Sequence, residues 1–136
     1  MKKLPIEKRR HKRLTQSFGD AISGFLTACR QERNIHIQLV AAVLVVLFSL
    51  MIHVSWTDML IVIILIGGVI SLELMNTAVE RIVDLVTHDR HPTAKAAKDT
   101  AAAAVWWFSL ISAVIYLCII IHTLLSLIHI SEPTRP

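Results

Sequence analysis

Along most of this sequence polar side chains are the exception, and their positions divide it into elements. Residues 37–52 run almost without charge, residues 59–72 do the same, and residues 101–127 form a third apolar stretch. Each approaches the ~20 residues that a helix needs to cross the hydrocarbon of a bilayer. With their flanks recruited, the pattern predicts three transmembrane helices, at about 34–53, 58–86 and 98–124. Ahead of them, residues 14–31 place Leu14, Phe18, Ala21, Ile22, Phe25 and Leu26 at helical spacing with polar residues between. That segment reads as an amphipathic helix lying on the membrane surface, the alternative being a short soluble helix that tethers the tail. Gly19 and Gly24 within it lower helicity but allow close approach of a neighbour.

The second span breaks its own apolar pattern. Glu73, Asn76, Glu80 and Asp84 follow one another at steps of three, four and four, which stacks them on one helical face. Carboxylates within a span are expensive and stay there only with a partner, an ion or a water-filled site. One reading is interhelical glue. The other is a site near the membrane boundary that binds a metal and deprotonates an alcohol, with a partly desolvated Glu as the base and Asn76 orienting a partner without adding charge.

Composition agrees with the membrane assignment: 54% hydrophobic residues, 6% aromatic, and a mean hydropathy of +0.61. The 136 residues hold one small all-α integral membrane domain and no more. Basic residues set its orientation, because loops rich in Lys and Arg remain cytoplasmic. They crowd residues 1–13, recur at Arg30 and Arg33, and return between the second and third spans as Arg81, Arg90, Lys95 and Lys98, whereas the first inter-span link has none. The N-terminus and the second loop, and with them the polar cluster, are therefore expected on the cytoplasmic side of a plasma membrane. The run KRRHKR superficially matches a nucleic-acid patch. Beside a span it serves orientation and anionic headgroups instead, and no aromatics interleave to stack on bases.

Three further residues carry two readings each. Glu32, in the string RQERN, is either a solvated charge or, if the first helix folds back beside the second span, a partner of Glu80 in holding Mg²⁺ through hard oxygens. Asp99 is either an N-terminal cap or a favourable partner of the helix dipole, and Lys98 either a snorkelling charge or a clamp on nucleotide oxygens. No GxxxxGK[ST], GxGxxG or protein-kinase signature occurs, which argues against a soluble nucleotide-binding fold. Cys29 and Cys118 are expected at opposite membrane sides and lack metal-ligand spacing. Trp106 and Trp107 lie inside the third span, as packing or lipid-facing groups, and Gly67 and Gly68 permit helix approach or a bend.

The strings RQERN, LIGGVISLELMNTAVERIVDL and HPTAKAAKDTAAAAV, in this order and spacing, resemble the small three-span prokaryotic diacylglycerol kinases. The GG and LELMNTA elements look closer to the undecaprenol kinase branch typical of Gram-positive bacteria. The resemblance covers residues 13–124 and implies a homotrimer with active sites shared between subunits, transferring the γ-phosphoryl group of ATP to a lipid alcohol: undecaprenol, or alternatively diacylglycerol. It implies Glu73 as catalytic base and substrate contact, with Asn76 as its neighbouring active-site amide. Glu32 and Glu80 match metal-binding acids that also meet ATP, with Mg²⁺ as cofactor. Lys98 and Asp99 match nucleotide-contacting positions, as do Arg13, Asp89, Arg90 and His91. Asp20 departs from the pattern, standing where the diacylglycerol branch has an aromatic nucleotide contact. Two other classes remain open on the residues alone, a small ion-coupled transporter or channel subunit and a non-catalytic membrane partner. Residues 1–13 form a basic tail, residues 14–124 the kinase-like domain, and residues 125–136, LSLIHISEPTRP, resemble a translated transposon-adapter sequence rather than a family ending.

Overall fold

The computed structural model describes residues 14–131 and contains four helices: α1 (Leu14–Gln31), α2 (Arg33–Met51), α3 (Trp56–Val86) and α4 (Pro92–Ser131). Three of these, α2, α3 and α4, are long and apolar enough to cross a membrane, and α1 spans the residues expected of the first helix. The chain is an all-α integral membrane protein. Most large apolar side chains face outward, Leu44, Ile64, Leu85 and Trp106 among them. In water such a surface would aggregate; in lipid it is the solvated face, because hydrocarbon tails are as apolar as the side chains they meet. Trp106 and Trp107 belong to it, which suits the lipid-facing expectation.

Local chemistry fixes the joints. Between α1 and α2 only Glu32 leaves the helical path, at φ −108° and ψ 113°, while its N–H still donates to the Ala28 carbonyl at 2.9 Å. This single-residue elbow lets α1 turn back against α2 and α3. The α2–α3 link closes when His53 enters the left-handed region at φ 59° and Val54 N–H reaches the Ser49 carbonyl at 3.1 Å. Ser55 then caps α3, its hydroxyl accepting from Asp58 N–H at 3.2 Å.

The third span begins earlier than about residue 98. α4 starts at Pro92, where a first-turn proline loses no intrahelical bond, and the Ala-rich stretch that follows has high helix propensity. Its cap is His91, whose Nδ1 accepts from Thr93 N–H at 3.2 Å and whose carbonyl accepts from Lys95 N–H at 3.0 Å. Asp99 therefore lies inside the helix, and the capping expectation for it is corrected. At its other end α4 runs through Ser131, past the expected boundary at Leu124.

The packed interior is small: Ala28, Ile35, Met59, Val62, Val105 and Ile119 supply its apolar part. α3 and α4 make the closest pairing, and Gly68 is where they approach. A Cβ there would stand 2.5 Å from Phe108 Cε1 and 2.6 Å from Cζ, whereas one on Gly67 would meet nothing within 4 Å. Gly68→Ala is expected to destabilise the fold by about 1–3 kcal/mol through overpacking. Gly67→Ala should be neutral or gain a few tenths from helix propensity. Thermal unfolding of the two variants in one detergent checks this, and equal Tm values would remove the close-approach role of Gly68.

Candidate active site

Glu73 is about 26 Å along α3 from Trp56 at 1.5 Å per residue, most of the thickness of a ~30 Å hydrocarbon core. It is only 4% exposed, and Asn76 and Thr77 beside it are also buried. The Glu73 carboxylate Oε2 accepts from Gln38 Nε2 of α2 at 3.0 Å. One helical turn on, Asn76 Nδ2 donates to Glu80 Oε1 at 3.2 Å. The carbonyl oxygens of both amides, Gln38 Oε1 and Asn76 Oδ1, are buried and have no hydrogen-bond partner among the described residues.

An apolar cavity of about 320 Å³ lies between α2, α3 and α4 with Gln38 in its wall. Ala41, Ala42 and Val45 carry it along α2, Leu65, Ile66 and Val69 along α3, and Tyr116 along α4. Tyr116 is fixed by its hydroxyl, 2.8 Å from Ser49 Oγ and 3.2 Å from the Val45 carbonyl.

A second cavity, of about 650 Å³, opens where α3 hands over to α4. Its walls include Asp89, Arg90, His91, Lys98 and Asp99, five of the residues expected at the nucleotide, together with Asp84 and Lys95. Lys98 Nζ donates to Asp84 Oδ1 at 2.5 Å, bridging α4 to α3, and Lys95 Nζ donates to Asp99 Oδ2 at 2.5 Å within α4. Both pairs are substantially exposed, and solvent screening leaves each a minor part in holding the fold. Their cations are available to an entering anion. Asp84 and Glu80 lie one helical turn apart, which joins this cavity to the Asn76–Glu80 pair along a single face of α3.

Glu32 is half-buried, with Arg81 Nη2 3.6 Å from its Oε1; the same nitrogen donates to Gln31 Oε1 at 2.8 Å. Arg81 thus ties the α1–α2 elbow to α3 one residue on from Glu80. No group of three or more His, Cys, Asp or Glu suited to a metal occurs among the described residues. Two carboxylates and the unpaired Asn76 Oδ1 nevertheless match Mg²⁺, which takes hard oxygens, usually one or two carboxylates, and completes its shell with water and phosphate. Arg13 lies outside the described residues.

Comparison with known proteins decides what this arrangement belongs to. The model of the family "Prokaryotic diacylglycerol kinase" matches residues 19–120. The chain belongs to the prokaryotic diacylglycerol kinase family. Within it, the chain is 44% identical over 112 residues to the undecaprenol kinase of Bacillus subtilis, covering 82% of this chain and 91% of that protein. It is 34% identical over 115 residues to a diacylglycerol kinase of Synechocystis, covering 84% of this chain and 66% of that one. A diacylglycerol kinase of Pseudomonas aeruginosa is 32% identical over 93 residues, 68% of this chain and 76% of that protein. Membership of a kinase family sets aside the transporter and non-catalytic readings, and the higher identity supports the undecaprenol kinase branch.

Sequence reasoning missed Gln38 as the partner of Glu73 and Arg81 as the partner of Gln31 and Glu32. Gln38 had a signal, since it is the one amide within the apolar run of residues 37–52. Arg81 was read as an orientation charge, and only the elbow at Glu32 shows what it holds.

Proposed function

We propose that this protein is an ATP-dependent kinase of a membrane lipid alcohol, with undecaprenol as the acceptor and undecaprenyl phosphate as the product for envelope synthesis. The observation that carries the reading is the continuity of α3: a buried carboxylate bonded to Gln38 in the wall of an apolar cavity, then two further acids on the same face, then the cavity that gathers Lys98, Asp99 and Arg90. The apolar cavity takes the first part of the lipid chain, entering sideways from the bilayer, and presents its hydroxyl to Glu73. Glu73 accepts the hydroxyl proton as the alcohol oxygen forms its bond to the γ-phosphorus. The bond between that phosphorus and the β–γ bridging oxygen breaks, and ADP leaves. Lys98 offsets charge on the phosphate oxygens, with Asp89, Arg90, His91 and Asp99 lining the rest of the nucleotide site. Glu32 and Glu80, with Asn76 beside them, would hold Mg²⁺, which when bound neutralises phosphate charge. Positioning and neutralisation provide most of the catalysis in phosphoryl transfer, so helix faces suffice without a phosphate-binding loop.

The same reading places the N-terminus and the site at the cytoplasmic side of the bacterial plasma membrane, α1 on the membrane surface, and three chains in a homotrimer with shared sites. Residues 14–124 form the kinase domain, and residues 125–136 take no part in it. Diacylglycerol is the second acceptor to consider, because two relatives carry that substrate in their names.

Purified protein in nanodiscs, given labelled ATP and Mg²⁺ with undecaprenol and diacylglycerol in parallel, tests the assignment. Preferential labelling of undecaprenol supports it; preference for diacylglycerol keeps the mechanism and overturns the acceptor. Absence of any labelled lipid from folded protein would sink the kinase reading. Chelation of Mg²⁺ is expected to stop transfer and its return to restore it, and transfer that continues under chelation would remove the metal role of Glu32 and Glu80.

A further inference from the structure

Gln38 stands where the apolar cavity meets the buried carboxylate, and its bonding is one-sided. An ionised carboxylate only accepts hydrogen bonds, so the amide must turn its N–H toward Glu73, and it does so across 3.0 Å between helices. That orientation leaves Gln38 Oε1 buried and unpaired among the described residues. An unpaired buried acceptor costs free energy, and a glutamine serving only to join two helices would gain by using both ends. This one commits its donor to the base and leaves the other end unmatched. Two other polar groups in the cavity wall are engaged elsewhere, whereas Ser109 sits on the α4 wall: Ser112 Oγ donates to the Phe108 carbonyl at 2.7 Å, and the Tyr116 hydroxyl meets Ser49 and the Val45 carbonyl.

We propose that Gln38 is a positioning residue for phosphoryl transfer: by occupying Oε2 of Glu73 it holds the carboxylate in one orientation and leaves Oε1 to receive the lipid hydroxyl at the head of the cavity. The inference rests on the kinase reading above. A glutamate has three side-chain torsions, and near a wide apolar cavity nothing else in the described hydrogen bonds restrains this one. A misplacement of about 1 Å at a reacting group can cost on the order of 10²-fold in rate.

The test uses the full chain in nanodiscs and three substitutions. Gln38→Met keeps length and removes the donor, and is expected to lower kcat by about 10–100-fold with KM for ATP unchanged. Gln38→His restores an N–H donor and should recover at least part of that loss. Gln38→Asn keeps the amide but withdraws it, and should behave as Gln38→Met does. In a Glu73→Asp background, where the shortened carboxylate is out of reach, adding Gln38→Met should cost little more. Thermal unfolding of each variant separates lost folding from lost rate. Wild-type kcat in folded Gln38→Met overturns the proposal, as does an equal loss in both Glu73 backgrounds. If Gln38→Met does not fold, folded Gln38→Asn at full kcat overturns it instead. No labelled lipid from the unsubstituted protein would overturn the kinase reading itself, and this inference with it.

Discussion

Glu73→Gln is expected to cut lipid phosphorylation by about 10²- to 10⁴-fold, the usual contribution of a positioned general base. The substitution is nearly isosteric. Its amide oxygen can still accept from Gln38 Nε2, and the buried position loses a charge that was costly to keep there. Folding should therefore survive while the proton acceptor is gone, so the loss falls on kcat rather than on expression or on KM for ATP. Steady-state transfer from labelled ATP, with unfolding curves as the companion measurement, checks this. A folded variant retaining more than about a tenth of wild-type kcat would exclude Glu73 as the base.

Lys98→Met should act on the other substrate. Lys98 bridges α4 to α3 through Asp84, and the pair is exposed enough that its loss moves stability by no more than about 1 kcal/mol. Against phosphate the same ammonium makes a charge-assisted hydrogen bond, worth about 1.5–3 kcal/mol. Its removal is therefore expected to raise KM for ATP by about 10–100-fold. Lys95→Met is the informative contrast, because Lys95 pairs with Asp99 on its own helix and is the more exposed of the two lysines. An unchanged KM for ATP in Lys98→Met would place the phosphates elsewhere in the cavity.

Much of the fold was legible because a bilayer imposes one simple rule. Every backbone polar group must be satisfied within its own segment, so charge-free runs of sufficient length become helices. α1 matches its expected bounds, and α2 and α3 fall within two residues of theirs. The start of α4 differs from the expected one because hydropathy marks only the part of a helix that is apolar. HPTAKAAKD is too polar for a span, yet alanine propensity and a proline in the first turn make it helix all the same.

The candidate site was legible as a face and not as a set of contacts. Helical spacing collects Glu73, Asn76, Glu80 and Asp84 on α3, since residues three or four apart share a side. It says nothing of which helix lies opposite. That Gln38 meets Glu73, that Arg81 holds the Glu32 elbow and that Lys98 reaches Asp84 are facts of packing between segments as much as 50 residues apart. The proposed nucleotide residues came from motif resemblance, and five of them now share one cavity.

The size of the apolar cavity limits what the protein can recognise. At about 320 Å³ it is small beside a long polyprenol, so it takes the part of an acceptor nearest the hydroxyl. A polyprenol many times longer than the cavity leaves most of its tail outside it. Selection among acceptors then falls on the chemistry within a few bonds of the hydroxyl, an allylic alcohol on a flat unsaturated chain against a glycerol carrying two esters. Tail length becomes a property of the membrane rather than of the enzyme.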